Sequence, residues 1–342
     1  MISIIIPCYN AEKYVDRFMT SIVNQTLNNS LYEVIAVNDA STDNTLSKLY
    51  EWKEKYPESI KIITYDKNIR PGGARNRGIL EAEGDYIGFL DADDWIEPNA
   101  LEEMFEVICS AQYDMVIGLF SEDKQYHIIY DETKYNSNRV DKKIVFGTGF
   151  TSADRRVDFS IGYIWNAIYR KDIITDNDIW YPENIAYEDI YWINLIKLYV
   201  DNVYVIDMVT HHHYYNTEST LNKRNAMHHV DRLTAYEKLL DKYCALGIIE
   251  QSFDLILKQT IEVYIINSYF MFFTRMDEIP DVYGRMKRVI DFYFPEWTNR
   301  YNEEILPIPY NYLIKFFKKS KAATVEQMQV FKDAVLEVTS KV

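Results

Sequence analysis

The feature that most limits how this chain can fold is an alternation in its first third. Short, buried-strand-like apolar runs take turns with amphipathic segments. The runs are Ile2 to Ile6, Val34 to Val37, Ile60 to Thr64, Tyr86 to Leu90 and Met115 to Ile117. Between them Val15, Phe18, Met19, Ile22 and Val23 recur at helical spacing, and Leu101, Met104, Phe105 and Ile108 repeat that stripe. Strand, helix, strand in this order predicts right-handed crossovers and an α/β fold, a mainly parallel sheet with helices on both faces. Ligands of such sheets sit beyond the carboxyl ends of the strands. That rule selects Pro7 to Asn10, Asn38 to Ser41, Tyr65 to Arg75 and Asp91 to Asp94.

The later chain reads differently. Phe120 to about Gly149 is polar and tyrosine-rich without a clear period and is expected to be irregular. Ile161 to Tyr169, a helix from Ile190 to Val200 and a strand from Asn202 to Ile206 continue the α/β pattern. From about Asn225 only helical stripes persist, so residues 1–220 are expected to form one α/β domain, which the motifs below make the candidate catalytic one, and 221–342 a mostly α-helical C-terminal region. The apolar stretch from Phe253 to Phe273 is broken by Asp254, Lys258, Gln259 and Glu262, too often to span a bilayer.

Charge and cysteine usage narrow the function. With 37 Lys and Arg against 52 Asp and Glu, the net charge of −15 repels polyphosphate and argues against a nucleic-acid partner. An anionic ligand then needs a local basic pocket or a metal. Cys8, Cys109 and Cys244 lack metal-ligand spacing and suit a reducing cytoplasm. The chain enters Ile2 without a basic, then apolar leader, so a secretory signal is not expected.

Three segments carry chemistry. Asp91, Asp93 and Asp94 follow an apolar strand, where carboxylates suit a hard divalent cation, and in an extended chain Asp91 and Asp93 share a side. The plainer role of such a cluster is to cap the helix starting near Pro98. Asn68 to Arg77 combines a glycine-containing turn with three arginines before a short helix, an arrangement that favours phosphate over a surface loop only if the arginines converge. Pro7 to Asn10 and Asn38 to Ser41 close the first two strands. Asp39 could accept a uracil ring N–H and Tyr9 lie against the base, or both could serve as turn and cap.

Taken in order, Ile4 to Asn10, Val37 to Asp43, Gly73 to Asn76 and Gly84 to Asp94 resemble the family 2 glycosyltransferases of the A-type fold. The resemblance is dense over the first 120 residues and thinner to about Asn222, where Asn177 to Pro182 and Tyr187-Glu188-Asp189 are similar to the lead-in and Glu-Asp motif. It implies that Pro7, Tyr9 and Asp39 hold uridine, that Arg75, Asp91 and Ala92 contact the rest of the nucleotide, and that Asp93 binds Mn²⁺ or Mg²⁺. Asp189 would be the general base of an inverting transfer from a UDP-sugar to a glycan, glycopolymer or lipid-linked acceptor in envelope or capsule polysaccharide synthesis. At a helix start the dipole favours the ionised Asp189 and lowers its basicity, so burial and Glu188 must oppose it.

Among His211, His212 and His213 only the first and third can share a side of a strand. A buried, hydrogen-bonded role outweighs a metal-ligand role for them, and Asn216 stands where the family pattern has an arginine. Tyr312, Leu313, Phe316 and Phe317 alternate with Lys315, Lys318, Lys319 and Lys321, which suits helix packing first and peripheral contact with anionic lipid at the inner membrane face second. The C-terminal helices could also pair two copies. Two other functions compete: a sugar-nucleotide nucleotidyltransferase, which would want glycines in Pro7 to Lys13, and a noncatalytic sugar or nucleotide binding module.

Overall fold

Strand β1 (Ile2–Cys8) is buried on both faces, and its alternate residues part company there. Ile2, Ile4, Ile6 and Cys8 join one apolar cluster with Val15, Phe18, Met19 and Ile22 of helix α1 (Val15–Val23) and Leu49 of α2 (Thr45–Lys55). Leu101, Met104 and Ile108 of α4 (Ala100–Ser110) complete that layer. Ile5 points the other way, against α3 (Arg70–Glu81), where Gly78 lets the helix approach so closely that a Cβ would collide with the Ile5 side chain. Helices therefore cover both faces.

The computed structural model describes residues 1–123, 141–145, 157, 163–216 and 222–339. The strands are β2 (Tyr32–Asp39), β3 (Ile60–Tyr65), β4 (Tyr86–Phe89), β5 (Trp95–Ile96), β6 (Met115–Asp123), β7 (Lys142–Val145), β8 (Ala167–Arg170) and β9 (Asn202–Tyr214). They form one sheet in the order β3-β2-β1-β4-β8-β6-β9-β5, with β7 also on β9. Strands β1 to β4 pair in parallel, β8 runs against β4 and β6, and β9 is again parallel to β6. Thus β1, β2, β3, β4, β6 and β9 all point one way. β5 and β7 run against β9. The carboxyl ends of the six co-directed strands gather at one edge, which is where a nucleotide is expected in an open α/β sheet.

Three sequence expectations need correction. Phe120 is not the start of an irregular stretch, because β6 continues to Asp123, paired with β9 through a bulge next to Gly118. A side chain at Gly118 would run into Thr210, so glycine is what permits the close approach. Lys142–Val145 is also strand; residues 124–140 and 146–149 of that stretch lie outside the described residues. Strand β9 runs far past Ile206, to Tyr214. Finally, Gly72 and Gly73 are not in a turn before a short helix but inside α3, with Pro71 in its first turn, a position where proline costs no hydrogen bond.

The chain divides into two compact units. The first combines Met1–Thr148, Phe159–Asn184 and Trp192–Asn216 and contains the sheet; its remaining helix is α5 (Lys171–Asp176). The second combines Gly149–Asp158, Ile185–Tyr191 and Thr217–Val342. Helix α6 (Glu188–Ile196) begins in the second unit and finishes in the first. The second unit contains α7 (Asp231–Ala245), α8 (Ile248–Gln251), α9 (Phe253–Gln259), a π-helical turn (Thr260–Ile266), α10 (Asn267–Arg275) and α11 (Tyr283–Tyr293). It ends with α12 (Trp297–Arg300), α13 (Tyr310–Lys319) and α14 (Val325–Thr339). Its core is aromatic: Tyr264, Tyr269, Phe272, Phe294, Trp297 and Phe317 are fully buried. In α13, Lys315 pairs with Glu304 at 2.5 Å and Lys318 with Glu303, while Phe316 packs on Tyr283 and Phe331. Among the described residues no helix is long and apolar enough to cross a membrane.

Candidate active site

The loops after β1 and β2 are locked together first. Asn10 and Ala40 both adopt left-handed backbone, which turns the chain sharply at the strand ends. The Asn10 side chain accepts from the Thr42 amide at 2.8 Å, and the Asn10 amide donates to Ser41 Oγ at 3.1 Å. Tyr9 is left 53% exposed beside them, its ring free to take a flat ligand, and Pro7 is half-buried. Asp39 is buried and accepts from the Ile69 amide at 2.7 Å. Burial pushes its carboxyl up; the amides of Ile69 and Arg70 pull it back.

Helix α3 projects Arg75 into the sheet edge. The guanidinium is only 4% exposed, donates to Asp91 Oδ1 at 2.8 Å and lies 5.4 Å over the Tyr181 ring. Tyr181 stacks on Trp192 and exchanges backbone hydrogen bonds with the Asn76 amide group, both at 2.9 Å. The Asn177 to Pro182 segment is thereby pinned to α3. Of the three arginines in this stretch, Arg75 meets Asp91 of the acidic loop and Arg77 goes to Glu183 at 3.3 Å.

Asp91 to Asp94 is a turn, closed by the Asp94 amide donating to the Asp91 carbonyl at 3.0 Å, and not the extended segment assumed above. The two outer carboxylates thus diverge, and each of the three acids finds a different partner. Asp91 takes Arg75, with Ala92 half-buried beside it. Asp93 Oδ2 accepts from Asn216 Nδ2 at 3.0 Å. Asp94, fully buried, meets His211 Nε2 at 2.8 Å, His213 Nδ1 at 3.2 Å and the Tyr214 amide at 2.8 Å. Burial and the adjacent Asp94 charge push the Asp93 carboxyl up to about 6. Asp94 goes the other way: burial alone would raise it, but bonds from both histidines hold it below the usual carboxylate range. The same bond lifts His213 to about 9.

The histidine run is explained by the short strand β5, which no sequence pattern announced. Trp95 pairs with His212 and Ile96 with His211. His211 and His213 share the Asp94 side, stacked on Trp165 at 4.2 and 5.3 Å. His212 faces the opposite way, its ring 5.0 Å from Trp95, its Nε2 2.7 Å from Glu97 and its Nδ1 2.7 Å from Asp123. Burial lowers its pKa, yet the two carboxylates outweigh that and leave it raised.

Two neighbours of the turn escaped sequence reasoning. Arg17 of α1 donates to the Asp93 carbonyl and lies within 4.4–5.1 Å of the Tyr214, Trp95 and Tyr14 rings. On the sequence it is one polar residue on the outer face of a helix, and nothing local points to Asp93. Asn216 had a signal, its place directly after Tyr214 and Tyr215.

Asp189 belongs to the second unit. It starts α6, and its Oδ1 accepts from the following Ile190 amide at 3.0 Å, while Glu188 is buried. Among the described residues no three His, Cys, Asp or Glu side chains are grouped as a ready-made metal cage.

A parallel α/β sheet with acidic and aromatic loops at its carboxyl edge, joined to a helical C-terminal region, defines the A-type glycosyltransferase fold. Residues 3–176 match the family model Glycosyl transferase family 2, and the chain belongs to that family. It is 32% identical over 192 residues to the poly(ribitol-phosphate) beta-glucosyltransferase of Bacillus spizizenii, covering 55% of this chain and 28% of that protein. It is 27% identical over 187 residues to the poly(ribitol-phosphate) beta-N-acetylglucosaminyltransferase TarS of Staphylococcus aureus, covering 54% and 30%. A cholesterol galactosyltransferase of Borreliella burgdorferi is 27% identical over 210 residues, covering 59% and 56%. In each case the match spans less than two thirds of the relative's own length. Among solved structures, S. aureus TarS 1–349 in complex with UDP superposes with a TM-score of 0.67 at 17% identity, over 100% of this chain and 92% of that one. At that identity the likeness concerns the fold.

Proposed function

We propose that the protein is an inverting glycosyltransferase that moves a sugar from a UDP-sugar to a hydroxyl of a glycopolymer. The observation that carries the reading is the convergence of Tyr9, Asp39, Arg75 and Asp91 to Asp94 on one edge of a family 2 sheet. Crystals of the similar TarS contain UDP and UDP-GlcNAc, which supports a uridine nucleotide as donor. The poly(ribitol-phosphate) enzymes among the relatives support an anionic glycopolymer as acceptor.

In this reading the Tyr9 ring lies against uracil, with Pro7 flanking it, and Asp39 accepts the ring N–H. Asp91 and Ala92 border the ribose, and Arg75 offsets charge on the diphosphate. The acceptor oxygen attacks the anomeric carbon as the bond to UDP breaks. Asp189 removes the hydroxyl proton, and UDP leaves with the bonding electrons, so one displacement inverts the configuration. The Asp93 carboxylate fits a divalent cation: it is desolvated, lies beside the Asp91 and Asp94 charges, and takes a side-chain hydrogen bond from the neutral Asn216 amide. Mn²⁺ or Mg²⁺ held there would stabilise the departing diphosphate, and substrate phosphates and water would complete a coordination that protein groups only begin.

The test is thermal denaturation with UDP-, GDP- and CDP-sugars, with and without Mn²⁺. A ligand at 100 times its Kd stabilises by about 2.7 kcal/mol. Only uridine species should do so, more with Mn²⁺, and Asp93→Asn should abolish the Mn²⁺ increment. No stabilisation by any uridine diphosphate, or a full increment in Asp93→Asn, refutes the assignment.

A further inference from the structure

The residues that carry Glu188 and Asp189 are held by one short stretch of the helical unit. The Ala186 amide donates to the Asp231 carboxylate at 3.1 Å. The Tyr187 hydroxyl lies 2.7 Å from Nδ1 of His229, a fully buried ring whose Nε2 is 2.8 Å from the Lys223 carbonyl. A carbonyl can only accept, so Nε2 carries a proton; in the neutral ring Nδ1 is then the acceptor and the tyrosine donates. Arg232, one residue further on, places its guanidinium 5.7 Å over the Tyr187 ring. Ala186 and Tyr187 are buried with Ala235 of α7, and Ile185, Ile190 and Met271 pack around them.

Tyr187 also has φ of 61°, left-handed backbone that a bulky side chain adopts only when its surroundings impose it. The hydroxyl bond and the stacked guanidinium are those surroundings. The turn at Tyr187 sets the direction in which Glu188 and Asp189 enter α6, since the Ile190 amide returns to the Tyr187 carbonyl at 3.2 Å. Burial lowers the Arg232 pKa, and the Asp189 carboxylate is among the groups that oppose this.

We infer that Tyr187, His229 and Arg232 are positioning residues for Asp189, fixing the direction from which its carboxylate leaves the helix start. The inference rests on the reading of Asp189 as the base. It gives the C-terminal region a part in the chemistry rather than in assembly alone: a change in the stretch from Lys223 to Arg232 acts on kcat through a backbone turn.

The experiment follows UDP release from the UDP-sugar that stabilises the protein most, with water as acceptor, and measures the Kd of UDP by titration calorimetry. Tyr187→Phe and Arg232→Met are expected to lower kcat about tenfold or more, since small displacements of a reacting group cost that much. The UDP Kd should stay near wild type; Tyr187→Phe leaves a buried ring nitrogen without its donor, so rates are compared well below the lowered melting temperature. Arg232→Lys, which keeps the charge, should recover part of the rate. In an Asp189→Asn background the same changes should cost nothing further, because residues acting as a unit are not additive. Unchanged kcat in Tyr187→Phe and Arg232→Met, with Asp189→Asn inactive, overturns the positioning role and leaves the base standing. Weakened UDP binding in step with kcat, or a further loss in the Asp189→Asn background, overturns it too. A fully active Asp189→Asn overturns the base assignment itself.

Discussion

Replacing His212 by phenylalanine tests the buried network under the acidic turn. His212 is fully buried, with Glu97 and Asp123 each 2.7 Å from a ring nitrogen and Trp95 stacked on its face. Two carboxylates cannot donate, so both nitrogens carry protons and the ring is an imidazolium. Phenylalanine keeps the stack and nearly the volume, so the packing term is small. What changes is that Glu97, 1% exposed, and Asp123, 8% exposed, lose their shared counter-charge. Breaking one buried pair costs roughly 3–5 kcal/mol. Here two bonds share one cation and do not add in full, so the expected loss is about 4 kcal/mol. For a unit of this size each kcal/mol lowers Tm by roughly 2–4 °C, giving a drop of about 8–16 °C by scanning calorimetry at pH 7. The wild-type pH dependence carries the second half of the argument. The His212 pKa is raised above its ordinary 6.5 in the folded state, so its stabilisation is complete below that value and lost as pH rises through the folded pKa. The gap between wild type and His212→Phe must therefore narrow on the alkaline side. A loss under 1 kcal/mol, or a gap that widens with rising pH, refutes the charged-ring account.

Two further outcomes follow from close contacts. Gly78→Ala forces a Cβ into the wholly buried Ile5, an overpacking cost of about 1–3 kcal/mol that exceeds the roughly 1 kcal/mol an alanine gains in a helix, so urea unfolding should show a net loss. A net gain would mean that α3 can shift off the sheet freely. Arg75→Met removes the buried guanidinium beside Asp91 and should weaken UDP binding about 10–100-fold by calorimetry, the worth of one charge-assisted bond; an unchanged Kd removes Arg75 from the site.

Much of the sheet was legible because its strands are apolar throughout. Ile2–Cys8 and Tyr32–Asp39 are buried on both faces, and a parallel strand of that kind announces itself as a continuous run. The α1 and α4 stripes were equally plain. What escaped were elements whose burial comes from distant partners. Trp95–Ile96 is too short to show a period, and Phe120–Asp123 and His211–Tyr214 look polar because Asp123, Glu97 and Asp94 satisfy the histidines they bury. Polar strands of this sort read as loops until the matching charge is known. The Arg17 contact with Asp93 joins residues 76 positions apart, and no local window contains it.

The candidate site shows the same division inside a single turn. Residue type alone does not separate Asp91, Asp93 and Asp94; the family resemblance assigns Asp91 to the nucleotide and Asp93 to the metal. Their partners separate them. Asp91 is paired with Arg75, and Asp94 is bonded to His211 and His213, the latter raised to about 9. The Asp93 carboxylate takes the neutral Asn216 amide as its side-chain donor, while the Arg17 guanidinium donates to its backbone carbonyl. Desolvation and the Asp94 and Asp91 charges raise the Asp93 carboxyl to about 6, so its ionised form is destabilised and gains from added positive charge. The proposed metal follows from this imbalance. Filling the balance from within the chain, by Asn216→Arg, should make Asp93 indifferent to Mn²⁺, because the guanidinium would take the place the cation is proposed to hold.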